Sequence, residues 1–289
     1  MNPIIQFFTN LFTLNGTFNW KFVTQFIFSA PILQGLLLTG LIAIFAQTIG
    51  SVIGLILYFM RRSRIRFLRW LANAYIWFFR GTPLLVQVLL FASFFSQTGL
   101  ASPSRLRSVE ISPALGIVYE IFLDSLLALV LALSLNEGAY MSEIVRAGID
   151  AIDVGQIEAA KSLGMTYGQA MRRVVLPQAL RVIVPPLGNE FNSMLKSTAA
   201  GYIVSFPELL GAASQIANPR AALLELFFVA SIWYLVLTSI WTIIQSQIER
   251  RLNISNIDPA LLVRKPWWQR TFGFGDRGVT APLPAPAHT

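Results

Sequence analysis

The sequence predicts an all-α integral membrane protein with about five transmembrane helices. Hydrophobic residues make up 55% of the 289-residue chain and charged residues only 12%, whereas soluble domains usually carry about 25% charged residues. Several apolar runs reach the roughly 20 residues that a helix needs to cross the hydrocarbon core of a bilayer. Too few charged residues are present to cover the surface of a soluble core of this size. The composition therefore argues against a soluble fold.

Five apolar segments are predicted to span the membrane, and they lie at about 32–60, 70–97, 113–137, 182–212 and 223–246. Before them, residues 1–30 are aromatic and mildly amphipathic, which is typical of a segment lying at the membrane surface. The transmembrane domain is therefore expected at 31–250, and the polar residues 251–289 are expected to form a tail.

Small residues and prolines distinguish three of the spans. The first span contains four glycines that would let neighbouring helices approach closely: Gly35, Gly40, Gly50 and Gly54. The second is interrupted near its start by the residues 80–83. The fourth contains Pro185 and Pro186, which remove helical hydrogen bonds and predict a broken helix.

The basic residues predict the orientation. Five lie at 61–69, five at 138–181 and six after residue 249, whereas the opposite loops contain Lys21, Arg105, Arg107 and Arg220. Because basic loops stay on the cytoplasmic side, the N-terminus is expected outside and the C-terminus on the cytoplasmic side of the membrane. The net charge of +8 is therefore interpreted as topology and contact with anionic membrane lipid, and no nucleic-acid partner is predicted.

The residue inventory argues against several kinds of catalysis. The chain contains no cysteine and a single histidine, His288, close to its end. Cysteine nucleophiles, histidine metal clusters and Ser-His-Asp triads are thereby disfavoured. We predict no catalytic residue, no metal site and no cofactor site in this chain.

The hydrophilic stretch 138–181 is the most informative part of the sequence. A short helix is expected at Gln156–Leu163, and Gly164 is expected to cap it with a positive φ. Thr166 would cap a second helix over 167–176, which ends at Leu176–Pro177 because proline disfavours helix in the residue before it. From the pattern alone, this helix–Gly–helix unit could dock in another protein or merely connect two spans.

The same residues resemble the EAA signature of ABC importer permeases. Glu158-Ala159-Ala160, then Gly164, then Leu176-Pro177 follow its spacing, and Val174 replaces the usual isoleucine. Gly155-Gln156 before the signature and Arg80-Gly81-Thr82-Pro83-Leu84 upstream are similar to the polar amino-acid branch. The resemblance implies a type I importer permease fold in which the segment at about 154–177 couples to an ATPase: its residues are Gly155, Gln156, Glu158, Ala159, Ala160, Gly164, Leu176 and Pro177.

The resemblance also implies the partners and the function. Two ABC ATPase subunits would carry ATP and Mg²⁺, since Lys196-Ser197 lacks the glycine-rich loop of a nucleotide site. A second permease subunit, identical or related, and an extracytoplasmic amino-acid-binding protein would complete the importer. The implied activity is translocation of polar amino acids across a bacterial cytoplasmic (inner) membrane by alternating access.

Polar residues inside the spans predict a substrate path, because lipid penalises them unless they face a cavity. The candidates are Asn189, Glu190, Asn192, Lys196, Glu143, Arg146 and Arg80. Asn189, Asn192 and Lys196 are spaced to share one helix face. Alternatively, Glu190 and Lys196 pair structurally with neighbours such as Arg80 or Glu143, and Glu143 forms a local salt bridge with Arg146.

Two other classes of function remain as alternatives. An ion-coupled secondary transporter or channel could use Glu190 and Lys196 as coupling groups, although such folds usually show more spans or internal repeats. A membrane-embedded enzyme would need clustered metal ligands or catalytic groups, which the sequence lacks.

Overall fold

A computed structural model of the chain describes residues 18–98, 116–218 and 222–252. All regular elements in this part are helical: α1 Trp20–Phe26, α2 Ala30–Arg62, α3 Arg66–Gly81, α4 Leu84–Thr98, α5 Gly116–Asp150, α6 Val154–Ser162, α7 Tyr167–Ala170, a π-helical segment Met171–Val175, α8 Leu176–Ser197, a 3-10 helix Thr198–Val204, α9 Leu209–Ala217 and α10 Leu223–Arg251. Residues 1–17, most of the tail and the loop after α4 lie outside the described residues.

Within the described chain, three helices are long and apolar enough to cross a membrane, namely α2, the Ser125–Asp150 part of α5, and α10. Helices α3 and α4 together form a fourth candidate, bent by 106°. The fourth predicted span is divided among α8, the 3-10 helix and α9. The chain is therefore a polytopic helical membrane protein in which two of the predicted spans are broken into shorter helices.

Close packing between α2 and α5 forms the centre of the bundle. A Cβ added at Gly50 would lie 2.6 Å from Cβ of Glu137, and one at Gly54 would lie 2.8 Å from the backbone nitrogen of Ser142. Because higher numbers in α2 meet higher numbers in α5, the two helices run in the same direction. Gly35 similarly lies against α9, whereas Gly40 has nothing within 4 Å, so the predicted close approach is confirmed at three glycines of the four.

The bend between α3 and α4 is held by one buried side chain. The amide nitrogen of Gln87 donates to the carbonyl oxygens of Phe79 and Thr82, at 3.0 and 3.1 Å, and to the Thr82 hydroxyl at 2.8 Å. The bond to Phe79 replaces the helical donor that Pro83, four residues later, cannot supply. The interruption predicted at residues 80–83 is thus a sharp turn between two helices.

Two predicted boundaries were wrong. The third span was expected to end near residue 137, but α5 continues to Asp150 because Ala139, Met141 and Ser142 are buried. The helix starting at 167 was expected to end at Leu176–Pro177, but it passes through a π-helical turn into α8. Pro177 directly follows a π-helical turn in which the Leu176 nitrogen donates to the Met171 carbonyl, so the usual i to i−4 ladder is already shifted there and the missing N–H of proline does not end the helical path.

The break in the fourth span also lies elsewhere than expected. Helix α8 runs through Pro185 and Pro186 without interruption, and the helical path breaks at the 3-10 segment and at Ser205, which has a φ of 58°. The buried carboxylate of Glu208 then accepts hydrogen bonds from the backbone of Leu210 and Gly211, at 2.9 and 2.8 Å, and starts α9. A polar turn inside the bundle is thereby fully bonded.

Candidate functional site

A helical hairpin made of α6, α7 and the π-helical segment follows the end of α5. The carboxylate of Asp153 accepts a hydrogen bond from the Gly155 nitrogen at 2.7 Å and starts α6. At the other end, Gly164 has a φ of 77° and donates to the Lys161 carbonyl at 2.9 Å, while Met165 donates to the Ala160 carbonyl at 3.1 Å. This is a Schellman termination, and it confirms the cap predicted at Gly164.

The turn after Gly164 is fixed by a second cap. Thr166 accepts a hydrogen bond from the Gln169 nitrogen, and the Gln169 side chain accepts one from the Thr166 nitrogen. Such a reciprocal capping box satisfies two backbone donors at a helix start. The helix start predicted at Thr166 is confirmed, so the hairpin has defined backbone geometry at both of its turns.

The surface of this hairpin combines polar and apolar exposed groups. Gly155, Gln156, Glu158 and Ala159 are exposed, and Leu163 at the tip is 78% exposed. Ala160 is buried within the hairpin, so it positions the exposed residues instead of presenting a surface. Leu176 and Pro177 are exposed at the start of α8. Leu163 and Tyr167, also exposed, are additional candidates that the signature alone does not identify.

A polar cavity of about 300 Å³ lies between α4, α5 and α8. It is lined by Leu84, Leu133, Asn136, Glu137, Tyr140, Glu190, Ser193, Met194 and Ser197. Glu137 is almost fully buried and accepts a hydrogen bond from the Gln47 amide at 2.8 Å. Two carboxylates, three short polar side chains and an aromatic ring therefore converge on one space inside the bundle.

The structure places only part of the predicted substrate path in this cavity. Glu190 lines it together with Ser193 and Ser197, which follow at three and seven residues. Asn189, Asn192 and Lys196 lie on neighbouring faces of α8. Asn189 accepts a hydrogen bond from the Gln245 side chain of α10 at 3.2 Å, and Lys196 is exposed. Their role in a substrate path stays a prediction.

A cluster of charges lies where α2, α3 and α5 meet. Glu143 accepts from Arg61 at 2.6 Å and from Arg146 at 2.7 Å, and Arg80 is 3.9 Å from the same carboxylate. The guanidinium of Arg80 lies over the ring of Tyr140, 5.4 Å from its centre. The predicted Glu143–Arg146 salt bridge is confirmed. Arg80 approaches Glu143, and in the described residues neither Glu190 nor Lys196 forms an ion pair.

Three residues of this region were missed from the sequence: Gln47, Glu137 and Tyr140. Glu137 ends the third apolar run, and a carboxylate in such a run is a signal by itself because lipid exposure would be costly. Gln47 lies 90 positions away, and no local pattern connects the two. Among the described residues no group of three or more acidic or histidine side chains could hold a metal ion.

Comparison with known proteins gives a family. The family described as "binding-protein-dependent transport system inner membrane component" matches residues 48–254. The chain is 39% identical to the arginine transport system permease protein ArgU of Corynebacterium glutamicum, over 82% of this chain and 72% of that protein. It is 35% identical to the L-cystine transport system permease protein TcyB of Bacillus subtilis, over 86% and 98% respectively.

Solved structures of ABC transporters are similar to the chain in fold. An amino acid ABC transporter crystallised with histidines shares 38% identity with the chain and superposes with a TM-score of 0.65, over 76% of this chain and 94% of that one. The methionine ABC transporter MetNI has the same fold at 18% identity, with a TM-score of 0.56, over 79% of this chain and 97% of that one. The matched family region contains the capped hairpin, the polar cavity and the charge cluster. The chain therefore belongs to the family of binding-protein-dependent transport system inner membrane components and is a transport permease subunit.

Proposed function

We propose that the chain translocates polar amino acids across the bacterial cytoplasmic membrane as the permease of an ATP-driven importer. Two relatives are named as permeases of arginine and L-cystine transport systems, which supports the substrate class. The observation that carries the proposal is the capped hairpin, an exposed and rigid docking element on a membrane protein. In this assignment the end of the bundle that bears Arg61 and the hairpin is cytoplasmic, with the N-terminus outside and the C-terminus inside.

The hairpin is the contact with the motor. Leu163 is a large apolar side chain with 78% exposure, and beside it lie the exposed Glu158 and Ala159. An apolar tip surrounded by polar groups favours a protein groove as its partner. Two ATPase subunits would bind ATP and Mg²⁺ and hold one hairpin each from two permease subunits, while a binding protein would deliver substrate to the opposite end.

Helix α8 provides a path from this contact to the cavity. The chain is helical without a gap from Tyr167 through the π-helical segment to Ser197. Leu176 and Glu190 are therefore joined by about 20 Å of helix at 1.5 Å per residue. A displacement of the hairpin moves the wall of the cavity that carries Glu190, and alternating access follows from such movement in two permease subunits.

The charges of the cavity favour a substrate with more than one cationic group. Glu137 and Glu190 line it, and no lysine or arginine is among the described residues that do. A dibasic amino acid would bring an ammonium group and a cationic side chain to these two carboxylates. Its own carboxylate would need a cation, and Arg80 lies next to the Tyr140 ring that forms part of the wall. Glu143 already has two closer arginine partners, which leaves Arg80 available.

The test is uptake of labelled amino acids into proteoliposomes that contain the chain, its ATPase and its binding protein. We expect ATP-dependent uptake of a dibasic amino acid, and we expect Glu190→Gln to reduce it about tenfold, since a hydrogen bond to a charged group contributes about 1.5–3 kcal/mol. Glu249→Gln is the matched control, because that carboxylate bonds Gln245 outside the cavity.

Two results would each contradict one part of the proposal, the first the ATP-driven mechanism and the second the role of the cavity. Uptake without ATP would favour an ion-coupled transporter instead. Equal uptake by wild type and Glu190→Gln for every amino acid would remove the cavity from the substrate path while leaving the importer assignment in place.

A further inference from the structure

The corner between α2 and α3 carries positive charge that the described residues do not neutralise. The first acidic residue in the chain is Glu110, so the first 109 residues supply no carboxylate. Arg61 is paired with Glu143, and Arg69 donates to the backbone oxygens of Ser63 and Arg64 at 2.8 and 3.1 Å. Arg64 and Arg66 are exposed, and no described residue forms an ion pair with either of them.

Helix α3 presents an aromatic face beside these arginines. Phe67 and Trp70 are 64% and 65% exposed, and their rings stack with centres 6.3 Å apart. Trp77 is 78% exposed and lies on the same side of the helix, at ten residues from Phe67. The opposite side is buried in the bundle through Ala72, Ile76 and Phe79. The aromatic face is therefore turned away from the rest of the described chain.

The bend after α3 separates its direction from that of α4. Helix α3 makes an angle of 106° with α4, so the two helices cannot both run along the bilayer normal. Tryptophan and arginine together are typical of the headgroup region, where rings lie against the acyl chains and guanidinium groups reach phosphates. An apolar face combined with unneutralised arginines fits a ligand with an acyl chain and a negative headgroup.

We propose that Arg64, Arg66, Phe67 and Trp70 form a binding site for an anionic phospholipid, with the phosphate on the arginines and an acyl chain along the two rings. This site is independent of the proposed substrate and motor contacts. A juxtamembrane arginine contributes about fivefold to binding of an anionic surface, and two contribute about thirtyfold before screening by salt. Phosphatidylcholine, whose headgroup has no net charge, would gain no comparable affinity from the two arginines.

The experiment uses the full-length chain, purified with the subunits that accompany it, and titrated with phosphatidylglycerol or phosphatidylcholine under native mass spectrometry. We expect wild type to retain phosphatidylglycerol preferentially. Arg64→Gln with Arg66→Gln should weaken that preference by about tenfold or more in moderate salt. Arg64→Lys with Arg66→Lys should keep most of it, which also shows that the corner tolerates substitution.

The matched control is Arg250→Gln with Arg251→Gln, which removes the same charge from the last turn of α10, where both arginines are exposed. Its phosphatidylglycerol preference should fall by less than that of the α3 double variant, because residues 242–252 contain no aromatic side chain for an acyl chain to lie along. An equal loss in this control would overturn the proposal, because it would indicate attraction by total charge and not a site. An unchanged preference in the α3 double variant would overturn it as well.

Fluorescence quenching locates the lipid independently. Phosphatidylglycerol with brominated acyl chains should quench Trp70, measured as the difference between wild type and Trp70→Phe, and brominated phosphatidylcholine should quench it several-fold less. If the Trp70 signal responds to neither lipid and changes only when the ATPase is added, the face is a protein contact and the lipid site is refuted.

Discussion

The close packing between α2 and α5 can be tested with two alanine substitutions in α2. Gly54 lies against α5, and an added Cβ would be 2.8 Å from the Ser142 nitrogen and 3.0 Å from the Gly138 oxygen. Gly40 lies on the same helix and has nothing within 4 Å. Gly54→Ala should therefore destabilise the bundle, whereas Gly40→Ala should not.

The magnitude follows from these distances. Non-bonded heavy atoms prefer about 3.5 Å or more, so the methyl group introduced by Gly54→Ala would be short of an ordinary contact by about 0.5–0.7 Å against a backbone that cannot rotate away. Overpacking of this kind costs about 1–3 kcal/mol, and replacing glycine by alanine in a helix returns about 0.5–1 kcal/mol. We expect a net loss of about 1–2 kcal/mol for Gly54→Ala and a gain of up to about 1 kcal/mol for Gly40→Ala.

Thermal unfolding in detergent or nanodiscs measures the pair. A difference of about 2 kcal/mol corresponds to roughly 4–8 °C in Tm for a domain of this size, with Gly54→Ala the lower of the two. The reasoning is refuted if Gly54→Ala unfolds at the wild-type temperature, or if Gly40→Ala loses as much as Gly54→Ala.

Two further matched pairs test the hairpin and the charge cluster. Gly164→Ala should cost about 1–2 kcal/mol of stability because of the positive φ at that position, and it should lower stimulation of the ATPase several-fold. Gly168 has open space around it, so Gly168→Ala should leave stimulation unchanged. Equal effects of the two substitutions would contradict the Schellman cap as the cause. Glu143→Gln removes two short charge-assisted bonds and leaves arginines facing each other, so thermal unfolding should show a loss of about 2 kcal/mol after allowance for partial exposure. Asp150 is half exposed and lies at a longer 3.4 Å from Arg146, so Asp150→Asn should change stability by less than about 0.5 kcal/mol. A similar loss in Glu143→Gln and Asp150→Asn would argue against a cluster centred on Glu143.

Features set by local backbone chemistry could be predicted from the sequence. Gly164 has the positive φ that its place after a short helix predicts, and Thr166 caps the next helix through Gln169. The turn at Thr82–Pro83 could also be predicted, because proline restricts the backbone of its immediate neighbours. At Gly164 and Thr166 the determining atoms lie within about five residues of one another, whereas Gln87, which holds the turn at Thr82–Pro83, reaches Phe79 from eight residues away.

Features set by the rotation and length of helices could not be predicted. Asn189 and Glu190 are neighbours in sequence, yet about 100° of helical rotation separates them, and only Glu190 reaches the cavity. The pairing of Arg61 with Glu143 joins residues 82 positions apart. α5 extends beyond its apolar run because other helices cover it, which is a tertiary effect with no local signal.

The exposed hairpin as the contact with an ATPase is the central claim, and site-specific cross-linking tests it most directly. Because the natural chain has no cysteine, a single Gln156→Cys variant can be linked specifically to lysines of the ATPase with a thiol–amine reagent. Phe28→Cys is the control, since that side chain is 70% exposed just before the start of α2, at the opposite end of that helix from Arg61. We predict a permease–ATPase cross-link for Gln156→Cys and none for Phe28→Cys. A cross-link from Phe28→Cys alone, or equal yields from both positions, would contradict the assignment.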